Sequence, residues 1–507
     1  MAELPKINIL VNPANLFGTA IIGNKDKEMK KNCSKMILVL LIFCFVCYPS
    51  SWAIGLHKYA ITHLTLGGTW STALAINELG QVVGISQILG DASHHGFIYY
   101  KGTITDIGST YPYDINNFGQ VVGHYNTEIN GDSTVRSFIY SNGMLTDLGT
   151  ISSDPRAQSW ANGINDFGQV VGSANTVYVD SHFHAYFYSD GVMEDIDTIG
   201  PYYEKSEAWA INNRGMVIGS ERDWGVFLYS DGVMRRLNIF GNALDINDRG
   251  EFVGWGSWGP GLEGAFLYRE GDLTVLGDLS DSGQTTPHAI NESSQIVGQS
   301  GIGYVERPWG YSHISHAFLY DNGVMTDLNT LIPENSGWEL MYATDINNRG
   351  QIVGYGVREG EFQKICYKDD SYTYCHNFPV YSAFLLTPTL EVTIDIKPRR
   401  NSNSVNHRIR GIIPVAILST KDFNAPSQVD QKSLTFGSTG NEESLAFCNR
   451  RSKDVDGDGL KDVVCYYYTQ STGFQCDDTE GVLRGNTVDG TAIEGRDSLK
   501  IVRCKPR

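Results

Sequence analysis

The chain repeats one short pattern of apolar and polar positions seven times. In residues 208–219, A-W-A-I-N-N-R-G-M-V-I-G, an apolar strand ends in Ile-Asn, a two-residue tip and a glycine follow, and a second apolar strand ends in glycine. The copies begin at Ile76, Ile115, Ile164, Ile211, Ile246, Ile290 and Ile346. The six intervals between the first and last of these average 45 residues, a spacing typical of a solenoid or a propeller.

Each copy predicts a β-hairpin, because the asparagine side chain caps a turn and the glycine tolerates the positive φ that the turn needs. The sixth copy departs from the pattern and has Ser294 in place of the first glycine. A third strand follows each hairpin, as in residues 317–320, and a two-residue turn leads into a fourth, as in residues 324–328. Four strands per unit are typical of a propeller blade.

Six units contain the fourth strand and the seventh lacks it. The six strands lie at residues 103–107, 144–148, 192–196, 233–237, 272–276 and 324–328. Residues 59–64 have the same pattern but precede the first unit. We therefore predict an all-β chain, with a seven-bladed β-propeller over residues 54–389 that is closed by this N-terminal strand, and a C-terminal β-sandwich over residues 390–507. An open solenoid is the alternative, but it does not explain the displaced strand.

The third strands begin with a short motif, His-Ala-Phe at residues 316–318 and His-Ala-Tyr at residues 184–186. With the preceding Asn-x-x-Gly-x-Val-Val-Gly hairpins, this motif resembles the repeats of bacterial extracellular HAF-repeat proteins, over about residues 59–388. The resemblance implies an extracellular β-propeller-type repeat protein and brings no catalytic residue with it. Residues 391–398 and 411–418 resemble a C-terminal module common on secreted bacterial proteins.

The N-terminal residues have the features of a secretion signal. Residues 1–28 lack the repeat and precede a second methionine, Met29, so we interpret them as a non-native upstream extension. Basic residues, an apolar run over residues 36–48 and a small-residue end predict a signal peptide over residues 29–53. A lipoprotein anchor at Cys44 or Cys47 and an uncleaved membrane anchor are the alternatives. The expected location is secreted or cell-surface, extracellular or periplasmic, with no stable membrane span after cleavage.

Charge and cysteine content agree with export. The chain has 39 basic and 57 acidic residues and a net charge of −18, which disfavours nucleic acid as a partner. The even set of cysteines after the predicted cleavage site suits an oxidising compartment and consists of Cys366, Cys375, Cys448, Cys465, Cys476 and Cys504. We expect the first two to form a disulfide in the seventh unit. The other four allow three pairings.

Two groups of residues are candidates for ligand binding. Insertions between the repeated strands carry aromatic residues that could stack on sugars or anchor a protein, namely Trp160, Trp224, Trp255, Trp258, Trp309 and Tyr311. Packing over a neighbouring blade is the other interpretation of each ring. Asp114, Asp245 and Asp345 precede the repeat isoleucine where other units have Ala or Gly. Near a central channel they could bind a cation or a polar ligand, or they could bond local backbone amides.

The C-terminal region contains one specific chemical motif. Asp454, Asp456, Asp458 and Asp462 stand at loop positions one, three, five and nine, with Gly459 at six. Alternate carboxylates on a tight turn converge on a hard cation, and the carbonyl of Leu460 would add a ligand, as in an EF-hand loop. Cys465 replaces the bidentate glutamate of position twelve. We predict a structural Ca²⁺ site, with a simple acidic turn as the alternative.

These features favour a secreted, non-enzymatic binding or surface-interaction protein with a glycan or protein partner. The sequence shows no catalytic triad, paired-carboxylate motif or phosphate-binding glycine loop, and no catalytic or cofactor-binding residue is assigned. A glycan-active hydrolase or lyase with its site at the channel is one alternative, and it would need carboxylates that converge at one end of that channel. A purely structural envelope protein is the other.

Overall fold

The computed structural model describes residues 58–503, apart from residues 91–92, 177–181, 198–204, 223–224, 260, 281–283, 308–309, 369–372, 401 and 489. The predicted signal peptide, Trp224, Trp309 and Cys504 therefore lie outside the described residues. The all-β prediction is confirmed, because the described chain consists mainly of short antiparallel sheets. None of its helices is long and apolar enough to cross a membrane.

The first six repeats each form one four-stranded antiparallel sheet, numbered here in chain order. Sheet 1 contains β2 (Gly67–Ile76), β3 (Val82–Ile88), β4 (His94–Tyr100) and β5 (Thr103–Asp106). Sheet 2 contains β6 (Thr110–Ile115), β7 (Val121–Ile129), β8 (Asp132–Ser141) and β9 (Met144–Gly149). Sheet 3 contains β10 (Ser159–Ile164), β11 (Val170–Asn175), β12 (Phe183–Ser189) and β13 (Val192–Asp195). Sheet 4 contains β14 (Ser206–Ile211), β15 (Val217–Glu221), β16 (Gly225–Ser230) and β17 (Val233–Arg236). Sheet 5 contains β18 (Phe240–Ile246), β19 (Phe252–Gly259), β20 (Leu262–Arg269) and β21 (Asp272–Val275). Sheet 6 contains β22 (Thr285–Ile290), β23 (Ile296–Arg307), β24 (Gly310–Asp321) and β25 (Val324–Asp327).

The seventh repeat takes its fourth strand from the start of the described chain. Its own strands are β26 (Trp338–Ile346), β27 (Ile352–Lys368) and β28 (Thr373–Glu391), and β1 (Lys58–Leu64) pairs antiparallel with β28. The register runs from Lys58 opposite Thr389 to Leu64 opposite Ala383. This pairing confirms that the N-terminal strand completes the seventh sheet. A 3-10 turn, Leu328–Leu331, precedes β26.

Neighbouring sheets pack face to face through buried side chains. Val83 of sheet 1 shares a core cluster with Ile115 and Phe138 of sheet 2, and comparable clusters join each later pair of sheets. A last cluster joins Leu64 and Leu385 of sheet 7 to residues of sheet 1. Because both faces of each sheet are covered, the second strands are apolar without alternation.

The glycine that ends each Val-Val-Gly strand is required by a close backbone approach. The first strand of every sheet bulges opposite this glycine, as between Ala208 and Ala210 in sheet 4. A Cβ on Gly219 would lie 2.2 Å from the carbonyl oxygen of Glu207. The equivalent glycines of all the sheets have a carbonyl oxygen at 1.9–2.2 Å from the same point. The repeat therefore needs glycine here for space, whereas the turn glycine, such as Gly215 with φ of 73°, serves backbone conformation. Ser294, which replaces the turn glycine in the sixth copy, has φ of 56°.

The C-terminal region forms a second core of its own. One sheet contains β29 (Ile394–Ile396), β31 (Ile412–Ile417), β34 (Val463–Tyr468) and β33 (Leu445–Cys448). The strands β32 (Val429–Gly437), β35 (Glu480–Thr487) and β36 (Ala492–Ser498) form a second layer that is continuous with sheet 7. A short pair joins β30 (Ser404–Val405) to β37 (Lys500–Ile501), and two single turns of helix lie at Ala425–Gln428 and Thr469–Ser471. Both sheets contribute to one buried cluster. The end of β28 pairs in parallel with β36, which ties this region to sheet 7.

The structure resolves one of the disulfide pairings that the sequence left open. Of the three pairings that the sequence left open, the structure has Cys448 bonded to Cys465, on adjacent strands β33 and β34. Cys476 is also disulfide-bonded. The backbones of Cys366 and Cys375 lie opposite each other in the β27–β28 hairpin, which is the arrangement that the predicted disulfide in the seventh unit requires.

Candidate functional site: the axial cavity and the aspartate loop

The seven repeat asparagines join the hairpins in a circuit of hydrogen bonds. The Nδ2 of each asparagine donates to the carbonyl oxygen of the asparagine in the next sheet, at 2.9–3.2 Å. The circuit returns to its start, because Asn347 donates to Asn77 at 3.0 Å. Each side-chain oxygen also accepts two amides of its own turn, as Asn212 does from Arg214 and Met216. The asparagines are 2–4 % exposed, so the turns are fixed in place.

The residue after each asparagine forms a second circuit. We call these seven the mouth residues: Glu78, Asn117, Asp166, Asn213, Asp248, Glu292 and Asn348. The backbone N–H of each donates to a side-chain oxygen of the next, at 2.6–3.0 Å. With the repeat isoleucines and asparagines they line one open cavity of about 250 Å³, here called the axial cavity.

Four of the mouth residues carry a carboxylate, and these four groups converge on the axial cavity. Neighbouring carboxamides donate to three of them: Asn213 Nδ2 donates to Asp166 at 3.2 Å and to Asp248 at 3.1 Å, and Asn348 Nδ2 donates to Glu78 at 2.8 Å. Within the described chain none of the four carboxylates makes an ion pair. These residues were not predicted from the sequence, because each one lies in a turn, where polar residues are common. Their recurrence directly after the repeat asparagine was the available signal.

The three predicted aspartates bridge neighbouring sheets just below the cavity. Asp114 accepts the N–H of Ile115 at 2.7 Å and that of Ile164, in the next sheet, at 2.8 Å. Asp245 bonds Ile246 and Ile290 in the same way, and Asp345 bonds Ile346 and Ile76. Both oxygens of each carboxylate therefore accept backbone amides, and one of these amides belongs to the next sheet. This arrangement agrees with the second interpretation of these aspartates, in which they bond backbone amides.

These aspartates have raised pKa values. Burial raises the pKa of Asp114 to about 6 and that of Asp245 to about 7, although the amide hydrogen bonds oppose the change. Burial, followed by repulsion from Asp245, also raises the pKa of Asp345. Because Asp114 contributes to the shift at both other sites, the three groups repel one another.

We predict that Asp245→Asn changes the pH dependence of stability. A carboxyl with a raised folded-state pKa stabilises the fold below its unfolded pKa of 3.8, and this contribution is lost as the pH rises through about 7. The free energy of unfolding of the Asp245→Asn protein, measured with urea relative to the unsubstituted protein, should therefore improve by roughly 2 kcal/mol or more between pH 4 and pH 8.

Asp231→Asn is the matched control, because Asp231 lies in an outer turn with φ of 53°, where the equivalent residue of sheet 2 is Asn142. Its difference from the unsubstituted protein should stay constant across the same pH range. A constant difference for Asp245→Asn as well would contradict the assignment of a raised pKa.

The His-Ala-Phe motif has a structural role that repeats across the sheets. His95, His184 and His316 pair through Nδ1 with Asp106, Asp195 and Asp327, eleven residues later on the fourth strand, at 2.6–2.9 Å. Burial alone would lower the pKa of His184, but the hydrogen bond and charge of Asp195 outweigh it and raise that pKa. The aromatic residue of the motif is fully buried, as at Phe318. The eleven-residue spacing between these histidines and aspartates recurs in the sequence and could have predicted the pairs.

The candidate aromatic residues do not form one surface. Trp160 is half-buried and contacts Phe183 at a ring distance of 5.0 Å, and Trp258 packs on Phe266 at 5.7 Å. Trp255 is 47 % exposed. For Tyr311 only the backbone is described, on β24. Among the members whose side chains are described, only Trp255 has an exposed ring, and Trp160 and Trp258 are packed against other rings.

The C-terminal aspartate loop brings three of its four carboxylates together. Ligand oxygens of Asp454, Asp456 and Asp462 lie within 4.8 Å of one another. Asp462 is fully buried and accepts the amides of Ser419 and Val455. Asp458 is outside this group and accepts the amide of Leu460 at 2.7 Å. Gly459, predicted to permit the bend, has φ of 92°.

Two carboxylates that follow the loop in the chain, and that could complete a metal shell, are engaged elsewhere. Glu480 pairs with Arg496 at 2.7 Å, and Asp478 accepts the amide of Gln475 at 2.7 Å. Burial raises the pKa of Asp395, and the charges of Asp497 and Asp456 raise it further.

Compared with known proteins, the chain matches no family model and no curated sequence.

Proposed function

We propose that this chain is a secreted, non-enzymatic binding protein of the HAF-repeat type. In this proposal the seven sheets form a seven-bladed β-propeller closed by β1, and a β-sandwich with a calcium loop follows. The observation that supports it best is the hydrogen-bond circuit of the repeat asparagines, which passes through all seven sheets and returns from Asn347 to Asn77. A circuit of this kind holds seven turns rigidly around one cavity, and a preorganised surface binds at a low entropic cost.

The carboxylates of the axial cavity support a second candidate function. A glycan hydrolase or lyase at a propeller channel needs acidic groups that converge at one end, and the four mouth carboxylates meet this requirement. Binding is favoured over catalysis because oxygens of the four mouth carboxylates accept backbone amides of the second circuit, and both oxygens of each bridging aspartate accept amides. These hydrogen bonds give the carboxylates a structural role in holding the turns together. A purely structural envelope role has less support, because Trp255 and several turn-tip residues are exposed.

The test of this function compares binding with turnover. The mature chain from residue 54 is incubated with a panel of extracellular polysaccharides and with a random peptide library, and bound material and new chain ends are both measured. The proposal expects saturable binding to one class without release of new reducing or unsaturated ends. Release of such ends, reduced in an Asp166→Asn and Asp248→Asn double variant, would replace the proposal with the enzymatic alternative.

We predict that Ca²⁺ stabilises the C-terminal region. Extracellular calcium modules have dissociation constants of roughly 10⁻⁴–10⁻³ M, so 5 mM Ca²⁺ should add about 1 to 2 kcal/mol to the free energy of unfolding of a protein with one such site. Thermal melts in chelator and in 5 mM Ca²⁺ measure this change. The gain should disappear in an Asp456→Ala and Asp458→Ala double variant.

Asp422→Ala is the control, since Asp422 is exposed in the same region and lies outside the loop. It should keep the full response to Ca²⁺. An equal response in the loop variant and the control would show that the ion acts elsewhere, and no response in any protein would leave Asp454–Asp462 as an acidic turn.

A further inference from the structure

The turn tips around the axial cavity differ sharply between its two sides. The residue after each mouth residue is the tip of its hairpin. In sheets 1, 2 and 3 the tips are Leu79, Phe118 and Phe167, which are 49 %, 75 % and 75 % exposed. In sheets 4, 5 and 7 the tips are exposed arginines, Arg214, Arg249 and Arg349. We call the first three residues the apolar arc.

The apolar arc is contiguous, which distinguishes it from scattered surface apolar residues. Its three members follow one another around the cavity, because the mouth residues beside them are hydrogen-bonded in sequence: Glu78 to Asn117 at 2.9 Å and Asn117 to Asp166 at 2.9 Å. Nothing in the turn requires an apolar tip, since arginine or serine occupies the same position elsewhere. Adjacent exposed apolar side chains rimmed by polar groups typically mark an interaction site.

The chemistry beside the arc specifies a cationic partner. Each mouth carboxamide already donates at least one N–H to a mouth carboxylate, as Asn117 does to Asp166 and Asn348 does to Glu78. Few donors are left for a neutral sugar, whereas four negative charges have no ion-pair partner within the described chain. A cavity of about 250 Å³ admits one long side chain. On the far side Arg249 is paired with Glu251, and the arginine tips Arg214 and Arg349 repel a cationic ligand and direct its remainder toward the apolar arc.

We propose that this face binds a polypeptide segment that carries a lysine or arginine next to a bulky apolar residue. The basic side chain enters the axial cavity among the mouth carboxylates, and the apolar neighbour covers Phe118 and Phe167. This proposal rests on the binding function proposed above and names its surface and its partner. The aromatic anchors contribute affinity through buried area, and the carboxylates contribute specificity and salt dependence.

The test selects peptides from a random twelve-residue library on the mature protein and measures the enriched peptides by fluorescence anisotropy. Enriched sequences should contain a basic residue beside an apolar one. Their affinity should fall at least tenfold in a Phe118→Ser and Phe167→Ser variant and at least threefold in Glu292→Gln, which keeps the oxygen that accepts the Asp248 amide. Affinity should also fall between 50 and 300 mM NaCl.

A Met144→Ser and Val324→Ser variant is the matched control, because these side chains are 68 % and 62 % exposed at outer turns. It should bind within twofold of the unsubstituted protein, and equal thermal midpoints should show that the variants are folded. Unchanged binding in the arc variant, or no enrichment of basic peptides, would overturn the proposal. Polysaccharide binding that is equally strong in the arc variant and in the unsubstituted protein would also overturn this proposal, but it would leave the general binding function intact. Turnover of a polysaccharide would refute both the peptide-binding proposal and the binding function.

Discussion

A chain that begins at residue 66, without β1, is expected to unfold about 5 °C or more below the chain that begins at residue 54, or to aggregate. Tyr59 and Leu64 of β1 are 5 % and 1 % exposed, and burying two side chains of this size stabilises a fold by about 4 kcal/mol. Removing β1 also leaves the backbone of β28 unpaired along seven residues, which creates an open sheet edge. Thermal melts and size-exclusion chromatography measure both effects.

A synthetic peptide of residues 56–66 provides the control for this truncation. Added to the shortened chain, it should restore the midpoint in proportion to its concentration, because it supplies the missing strand in trans. A peptide of the same residues in which Leu64 is replaced by aspartate should not. If the shortened chain keeps the midpoint of the longer one, the N-terminal strand does not hold the seventh sheet.

Gly219→Ala should lower the free energy of unfolding by about 3 kcal/mol or more. The added methyl group would lie 2.2 Å from the Glu207 carbonyl oxygen and 2.3 Å from Cζ of Phe227. The oxygen belongs to the bulged first strand and the ring is fully buried. Both neighbours must therefore move, and the packing against the adjacent sheet moves with them. Urea unfolding followed by circular dichroism measures the loss.

Gly215→Ala, in the same repeat, separates the two roles of glycine. Gly215 has φ of 73°, and the nearest atom to an added Cβ is 3.8 Å away. The substitution therefore costs only the left-handed conformation, about 1 to 2 kcal/mol. A Gly219→Ala protein that is no less stable than the Gly215→Ala protein would contradict the close approach seen at the bulge.

The sequence predicted the elements whose cause is local. A turn that needs an asparagine cap and a positive φ produces the same residues in every copy, and a strand that completes another sheet keeps its pattern wherever it lies in the chain. These two regularities predicted the hairpins and the pairing of β1 with β28. Ser294 shows how strongly the turn is imposed, because it adopts the glycine conformation and bonds Glu251 at 2.8 Å.

The features that escaped prediction depend on contacts between strands, either within one unit or between units. Glu78 and Asp248 recur directly after the repeat asparagine, but only the assembly of the seven turns brings their carboxylates to one cavity. The partner of His184 lies on another strand, and the packing of Trp258 on Phe266 depends on the conformation of a long connection. The role of Gly219 follows from a bulge in the facing strand, and the residues next to Gly219 in the sequence do not indicate this bulge.

The proposed closure of the seven sheets requires that β1 is an integral part of the seventh sheet. Native-state hydrogen exchange of the peptide covering residues 58–64, followed by mass spectrometry, tests it most directly. The account predicts that these amides exchange as slowly as those of residues 383–389 in β28 and only when the sheets unfold together. Exchange of residues 58–64 within seconds, while β28 remains protected, would show a frayed terminus and contradict the closure.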